Sequence, residues 1–424
     1  MRTTGILGWI ATAALVLSPT LMLSLRGGTG YCFFAVFGLS LFYLGKKAHR
    51  QRAAELYRRN RLWVWGLVAL PAVVLVQIVV LRTGTFPALD PLLRLALVVP
   101  SFFLLAALDS RQLKLVQWGF VFGALGAGAW VGYQFMHPNV AYGVQRVGND
   151  YTNPIPFGDT ALALGFLSIA SLRRDGHVTR WEVALKVAAL LAGCYASYAS
   201  GARGGWIAMP LLIWAAIDGR HWLGRARVPL LCLIFAGTAA FACTNGVRER
   251  IAQVGSDIRA FQSGNSDTST GIRLDLWRAS VRLYLDNPVL GVGRGRLESS
   301  MRSLVQRGEG PEMIINGRAH NEFFSVLAET GTVGVIALLL LYAGTMKPFW
   351  QNRGSQDPEI ATASYLGITL VGGTIIFGLT IDVLTLVMNA AFFALTAATL
   401  LAWIEARKRE MGNAQAVAAG PGAL

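Results

Sequence analysis

Of the five histidines in this chain, His320 has the setting best suited to chemistry. His49, His177 and His221 fall among basic residues of polar connections, where a solvated imidazole is all that is required. His137 sits in His-Pro-Asn, which reads as a turn. His320 lies in Ala319-His-Asn-Glu-Phe-Phe324, where a long polar stretch enters an apolar one. A histidine near a helix N-terminus feels the positive end of the helix dipole, which disfavours its protonated form. A neutral imidazole so placed suits a general base, with a structural helix cap as the alternative. Ser200-Gly-Ala-Arg203-Gly-Gly205 joins two apolar segments, and its small residues let backbone and guanidinium approach a ligand closely. An arginine at that depth is costly unless it is paired, used, or snorkels to lipid headgroups. Arg146, ahead of Asn153-Pro154, invites the same comparison. Asp159, Glu329 and Asp382 are acids in or near apolar segments, able to order such arginines or to pass protons.

Residues 244–320 form the longest polar stretch, with eleven arginines and no lysine. A guanidinium grips phosphate through two parallel hydrogen bonds and stays charged at any pH, so the choice suits phosphate binding. A compositional preference for arginine in a GC-rich genome is the alternative. Within the stretch, Gly271 to Asp286 reads as an amphipathic helix. Ile272, Leu276, Ala279 and Leu283 recur at helical spacing, with Arg273, Arg278 and Arg282 on other faces. Asn287-Pro288 stops it, and Gly291, Gly293 and Gly295 then make a flexible turn. Such a helix lies on a bilayer surface or caps a helix bundle. The chain shows no P-loop, no His-Glu-x-x-His motif, no dinucleotide fingerprint and no acidic cluster for a metal. Cys32, Cys194, Cys232 and Cys243 all lie in apolar segments, so no disulfide framework or zinc cluster is expected. An enzyme built this way needs a donor that arrives already activated. A lipid-linked pyrophosphate sugar meets that need, with arginines stabilising the leaving group.

The elements that must position these residues are membrane helices. Only 14% of the 424 residues are charged and 54% are hydrophobic, where soluble proteins carry about a quarter charged. Apolar segments run near 5–24, 28–45, 62–82, 92–108, 115–136, 157–172, 182–200, 205–217, 228–243, 321–346, 359–381 and 383–404. The sixth and eighth are short enough to be tilted or broken. The first, after Arg2, reads as a retained helix rather than a cleaved signal. With the N-terminus in the cytoplasm, the basic clusters Lys46–Arg61, Arg111–Lys114, Arg173–Arg180, Arg220–Arg227 and Arg407–Arg409 all fall inside, as do all the lysines. The short outer connections hold only Arg26, Arg82, Arg146 and Arg203. This asymmetry fits an all-α polytopic protein of about twelve spans with both termini cytoplasmic, and a long outer loop crosses regardless of its charge. The net charge of +15 then reads as basic inner loops, not as a nucleic-acid footprint. The expected organisation is helices one to nine over 1–243, the outer loop with its amphipathic helix over 244–320, helices ten to twelve over 321–410, and a disordered cytoplasmic tail over 411–424. No internal repeat and no separate soluble domain is evident.

Taken together, these motifs resemble a known family. Ala319-His320-Asn321-Glu322-Phe323-Phe324 followed by Glu329-Thr-Gly331 resembles the signature of the O-antigen ligase and polymerase superfamily. Ser200-Gly-Ala-Arg203-Gly-Gly is similar to that family's arginine motif at the outer end of a helix. Gly271-Ile-Arg273-Leu-Asp-Leu-Trp277, with Asn287-Pro288 and Gly291-Val-Gly293, resembles its periplasmic-loop motif. Arg146 with Asn153-Pro154 resembles the element the family carries before a mid-chain helix. The resemblance implies a metal-independent, cofactor-free inverting glycosyltransferase of the inner membrane with a GT-C-like fold and a large helical periplasmic loop. Such enzymes move a glycan from undecaprenyl pyrophosphate to a periplasmic acceptor. In the ligases the acceptor is a sugar hydroxyl of lipid A-core, and the product is complete lipopolysaccharide. Carried over by motif, His320 is the base for the acceptor hydroxyl, and Arg203 and Arg273 bind the pyrophosphate and stabilise its departing charge. Arg146, Asn153 and Asn321 complete the substrate-binding set, and Arg203, Arg273 and His320 are expected within reach of one cavity at the outer membrane surface. The compact length favours a ligase over a polymerase or a protein O-oligosaccharyltransferase.

A transporter is the competing class, since many spans and intramembrane acids fit one. Its long loop would more usually lie inside, between two similar halves. A structural scaffold for polysaccharide assembly is the third reading, and it would leave Arg203 and Arg273 individually dispensable.

Overall fold

The computed structural model describes residues 5–137, 146–172, 178–218, 255–257, 259–260, 262–263 and 268–418. The expected ninth span (228–243), with Cys232 and Cys243, lies outside the described residues, as do Arg173, Arg174, His177 and His221. Among the described residues every regular element is helical. Along the chain these are α1 (Gly5–Thr20), α2 (Gly28–Leu44), α3 (Lys47–Arg59), α4 (Arg61–Val79), α5 (Phe86–Leu105), α6 (Ser110–Leu113), α7 (Val116–Met136), α8 (Pro154–Ala170), α9 (Arg180–Ala199), α10 (Met209–Ile217), α11 (Ser269–Asp286), α12 (Leu297–Gln306), α13 (Glu322–Asn352), α14 (Pro358–Phe377) and α15 (Val387–Ala418). Short 3-10 turns occupy Arg203–Ala208 and Glu312–Ile314.

Seven helical stretches among the described residues are long and apolar enough to cross a membrane: α4, α5, α6–α7, α9, α13, α14 and α15. The pair α2–α3, bent by 113°, makes an eighth if counted as one span. The segments Gly5–Thr20, Pro154–Ala170 and Gly204–Ile217 are apolar but shorter. The chain is therefore a multi-pass membrane protein, helical throughout its described residues, with fewer full-length spans among those residues than the twelve read from hydropathy. The eighth apolar segment is broken into a 3-10 turn and α10, because Gly204, Gly205 and Pro210 interrupt α-helical pairing. Helix α3 was not legible as an element: its sequence is nearly all polar, and only Ala53 and Leu56, three apart, are buried. The tail expected to be disordered from Met411 continues α15 as far as Ala418. Met, Ala and Gln are strong helix formers, which accounts for the extension.

The chain divides into two compact units. The first comprises Met1–Ala72, Ala88–Gly219 and Ala337–Leu424. Its innermost helices are α8, α14 and α15, where long runs of residues are fully buried. Helix α9 carries a fully buried lysine. Lys186 is 0% exposed, and its Nζ lies 2.7 Å from Glu182, 2.8 Å from Gln117 Oε1 and 3.2 Å from the Ser171 carbonyl. A buried ammonium with three acceptors is satisfied, as such a group must be.

The second unit comprises Val73–Pro87 and Arg220–Ile336. It has its own apolar core, so it is more than a loop. Leu276, Ala279 and Leu283 of α11 pack with Leu297, Met301 and Leu304 of α12, and with Ile314, Ala319 and Ala328. Each buried leucine, isoleucine or methionine here contributes roughly 1.5–3 kcal/mol by leaving water. The apolar stripe expected on α11 is thus real, but it is spent on this internal core.

The three-glycine turn after α11 is locked rather than flexible. Val292 N donates to Ala328 O and Gly293 N to Glu329 O, both at 2.9 Å, so the turn runs along α13 like a laid strand. Gly291, Gly293 and Gly295 all have positive φ. A Cβ on Gly293 would lie 2.1 Å from the Thr83 carbonyl oxygen, at φ +104°. Gly293→Ala is therefore expected to destabilise the second unit by at least roughly 1–3 kcal/mol from backbone strain alone. A lowered thermal midpoint of the purified protein checks this; an unchanged midpoint would show that the turn yields.

Candidate functional site

In the second unit, His320 is held by what flanks it. It adopts φ +52°, one of only two non-glycine residues with positive φ among the described residues. Such a conformation is costly for a bulky side chain and persists only where neighbours impose it. On one side, Ala319 is fully buried, its carbonyl accepting from Trp277 Nε1 at 3.1 Å and its N–H donating to Ser325 Oγ at 3.0 Å. On the other, Asn321 Oδ1 accepts from Phe323 N at 3.0 Å and Phe324 N at 3.4 Å. Asn321 is the N-cap of α13. Asn321 thus takes a cap role that the sequence had raised for His320, and the imidazole beside it is half-buried.

Arg273 belongs to the same neighbourhood. It lies one turn before Trp277 on α11, and residues four apart share a helix face. Trp277 also stacks on Phe324, with ring centroids 5.1 Å apart and planes at 17°. One tryptophan thereby ties the α11 face carrying Arg273 to the residues on either side of His320. Ser325 was not singled out from the sequence, and Trp277 was named only as the end of the loop motif. The partners of Trp277, Ala319 and Phe324, lie beyond α12 in the chain, and no local pattern announces them.

Beneath this site is a buried ionic knot. Arg294, 3% exposed, lies 2.7 Å from Glu329 and 4.0 Å from Glu322. The two glutamates are seven residues apart and so share a face of α13. Glu329 Oε1 also accepts from Gly295 N at 2.8 Å. Gln77 closes the knot: its amide donates to Leu290 O at 2.6 Å and Glu329 O at 2.9 Å, and its Oε1 accepts from Arg294 N at 3.1 Å. Of the two roles open to Glu329, the geometry gives it the ordering of an arginine. Gln77 was missed because it is 217 residues from Arg294.

The loop's arginines are therefore not one phosphate-binding set. Arg282 and Arg307 both hold Glu309, at 3.0 and 2.6 Å, and Arg302 pairs with Glu298 at 3.3 Å. The hydrogen bonds from Arg307 and Arg282 hold the Glu309 carboxyl below its usual range. These are exposed pairs that add little stability singly.

In the first unit, the turn between α9 and the Arg203–Ala208 helix carries the second set. Arg146 is exposed, and its Nε donates to the Ser200 carbonyl at 3.2 Å. Val147 N donates to Ala199 O at 3.1 Å. The two arginine motifs are thus joined directly, since Arg203 opens the 3-10 turn three residues after Ser200. Gly204 and Gly205 leave room behind that turn. A Cβ on them would meet Thr380 at 2.8 Å and Asp159 Oδ1 at 2.1 Å. Asn153 is exposed at the start of α8, with Pro154 as its first helical residue. Asp159 and Asp382 are both buried, and their carboxylate oxygens have no hydrogen-bond partner. Among the described residues, no three His, Cys, Asp or Glu side chains gather around one point that would suit a metal ion.

The six candidate residues thus fall into two sets: Arg146, Asn153 and Arg203 in the first unit, and Arg273, His320 and Asn321 in the second. Comparison with known proteins bears on both. An uncharacterized protein of Haemophilus influenzae is similar to this chain, at 24% identity over 237 residues. The match takes in 53% of this chain, which spans 59% of that relative's length. A family model described as O-antigen ligase matches residues 188–339. That interval contains Arg203, Arg273, His320 and the Arg294–Glu329 knot, while Arg146 and Asn153 precede it. Residues 188–339 thus match an O-antigen ligase domain, which supports placing the chain in the O-antigen ligase and polymerase superfamily.

Proposed function

We propose that this protein is an O-antigen ligase of the bacterial inner membrane. It transfers glycan from undecaprenyl pyrophosphate to a sugar hydroxyl of lipid A-core on the periplasmic side, with inversion at the anomeric carbon. The observation that carries this reading is His320, an imidazole held at positive φ between a clamped Ala319 and a capping Asn321, inside the matched domain. So held, it accepts the proton of the acceptor hydroxyl as that oxygen attacks the anomeric carbon. The bond to the pyrophosphate oxygen breaks in the same step. Arg203 and Arg273 take up the charge that develops on the leaving pyrophosphate, and Arg146 and Asn153 assist in holding the donor. Asn321 acts through His320 as a positioning residue.

The test is complementation of a Gram-negative strain that lacks its own ligase but makes the matching donor and core. Wild type is expected to restore long-chain lipopolysaccharide on a gel. Arg203→Ala and Arg273→Ala are each expected to lower transfer by about 10²–10³-fold at equal membrane abundance. Full transfer by both variants would remove the leaving-group assignment. No ladder from wild type, with donor and core present, would favour a polymerase, a protein O-oligosaccharyltransferase or a transporter.

A further inference from the structure

A cavity of about 510 Å³ in the first unit is not accounted for by any residue assigned above. Its wall combines cations, polar atoms without partners and apolar side chains. Arg94 is central to it. This residue lies well inside the apolar helix α5, and its side chain is only 9% exposed. One corner of the guanidinium is fixed: Nη1 lies 2.7 Å from the Asp90 carboxylate and 2.6 Å from the Asp90 carbonyl, one turn earlier. The guanidinium carbon stands 5.4 Å from the centre of the Phe34 ring. Nε is buried and has no hydrogen-bond partner. A buried donor left unsatisfied costs about 1–3 kcal/mol. An ionisable residue inside a membrane helix marks a ligand or ion site more often than a structural one.

Two further polar groups on the same wall are in the same condition. Thr152 Oγ1, on a residue 5% exposed, and Asn389 Oδ1, on a residue 9% exposed, are buried without partners. Arg26, exposed, adds a second cation to the lining. Phe34 is 46% exposed and Val387 39% exposed, so apolar surface adjoins the polar wall. Two guanidiniums suit an oxyanion, a threonine hydroxyl both gives and accepts, and an amide oxygen accepts from a hydroxyl. Apolar side chains beside them suit a hydrocarbon tail.

We propose that this cavity binds the phosphorylated sugar headgroup of a glycolipid. Arg94 and Arg26 take the phosphate, Thr152 and Asn389 take sugar hydroxyls, and Phe34 and Val387 receive the start of the lipid chain. The inference draws on the glycan-transfer reading only for its two sources of that headgroup, the lipid-linked pyrophosphate donor and the phosphorylated lipid A of the acceptor.

The experiment is a binding titration by native mass spectrometry on the purified full-length protein. The probes are undecaprenyl pyrophosphate N-acetylglucosamine, doubly phosphorylated lipid A and its dephosphorylated form. Arg94→Gln is expected to weaken one phosphorylated probe at least tenfold and to leave the dephosphorylated one unchanged. Loss confined to lipid A identifies an acceptor subsite, and loss confined to the pyrophosphate probe identifies a donor subsite. If Arg94→Gln lowers the yield of folded protein, Thr152→Val and Asn389→Leu carry the test, each expected to weaken the same probe several-fold. Wild-type affinity for every probe in all folded variants would overturn the proposal. The two readings separate cleanly. Binding that depends on Arg94 in a protein that transfers no glycan leaves the subsite standing and removes the ligase. Transfer by wild type with no dependence of binding on Arg94 does the reverse.

Discussion

Replacing His320 by alanine is expected to lower glycan transfer by about 10²–10⁴-fold, the usual worth of a positioned general base. Membrane abundance should stay at the wild-type level, because the cap of α13 is Asn321 and the clamps act on Ala319. The positive φ of 52° complicates a single substitution, since alanine also changes what the backbone tolerates. His320→Asn resolves this. Asparagine adopts left-handed conformations more readily than other side chains, yet it cannot act as a base. If both variants lose transfer, the imidazole is needed for chemistry. If asparagine restores transfer that alanine loses, the residue serves only to turn the chain into α13. A transporter or scaffold would tolerate both changes. The readout is the lipopolysaccharide ladder, with initial rates on purified donor and acceptor to give the magnitude.

The second large effect concerns the knot beneath that site. Glu329→Ala removes the partner of a guanidinium that is 3% exposed and the acceptor of Gly295 N. Breaking a buried pair from one side leaves an uncompensated charge and typically costs about 3–5 kcal/mol. That is a large share of the total stability of a domain, roughly 5–15 kcal/mol. The purified variant is expected to unfold at a clearly lower temperature and to be cut by protease between Asn287 and Arg296. Glu329→Gln keeps an acceptor for Gly295 and should lie between alanine and wild type. Glu322, 4.0 Å from Arg294, offers partial compensation. Glu322→Gln together with Glu329→Gln should therefore lose more than the two single changes added, since groups sharing one partner are not independent. An unchanged unfolding temperature in Glu329→Ala would show that Arg294 finds another acceptor and that the knot is not what fastens the turn.

Much was legible along the chain because the rules involved are local. Apolar runs long enough to cross a bilayer located most of the helices, since in lipid every backbone polar group must be paired within the segment. The period of Leu276, Ala279 and Leu283 together with Asn287-Pro288 marked α11 to within two residues of its observed start. The motif around His320 was legible as a junction between polar and apolar sequence. Helices α3 and α12 were not read from the sequence: both are short polar segments outside the apolar runs that located most of the helices, although Leu297, Met301 and Leu304 of α12 recur at helical spacing. The three glycines after α11 announced a special backbone, but freedom and constraint look alike in sequence. Glycine serves both, and only the neighbours at Thr83 and Glu329 distinguish them.

By itself the sequence determined that the protein is helical and multi-pass, where its arginines and its one well-placed histidine lie, and which family those motifs resemble. What each arginine does was decided by the tertiary structure. Arg294 became a buried anchor and Arg282 and Arg307 surface ion pairs, while Arg146 was drawn onto the turn that precedes Arg203. The same structure gave a cap role to Asn321, set Trp277 and Ser325 on either side of Ala319, and recruited Gln77 from a position without any local signal. The physical reason is range. Helix formation and membrane partition are read from neighbours within a few turns, whereas satisfying a buried charge or fixing an imaginable base requires partners that only folding brings together.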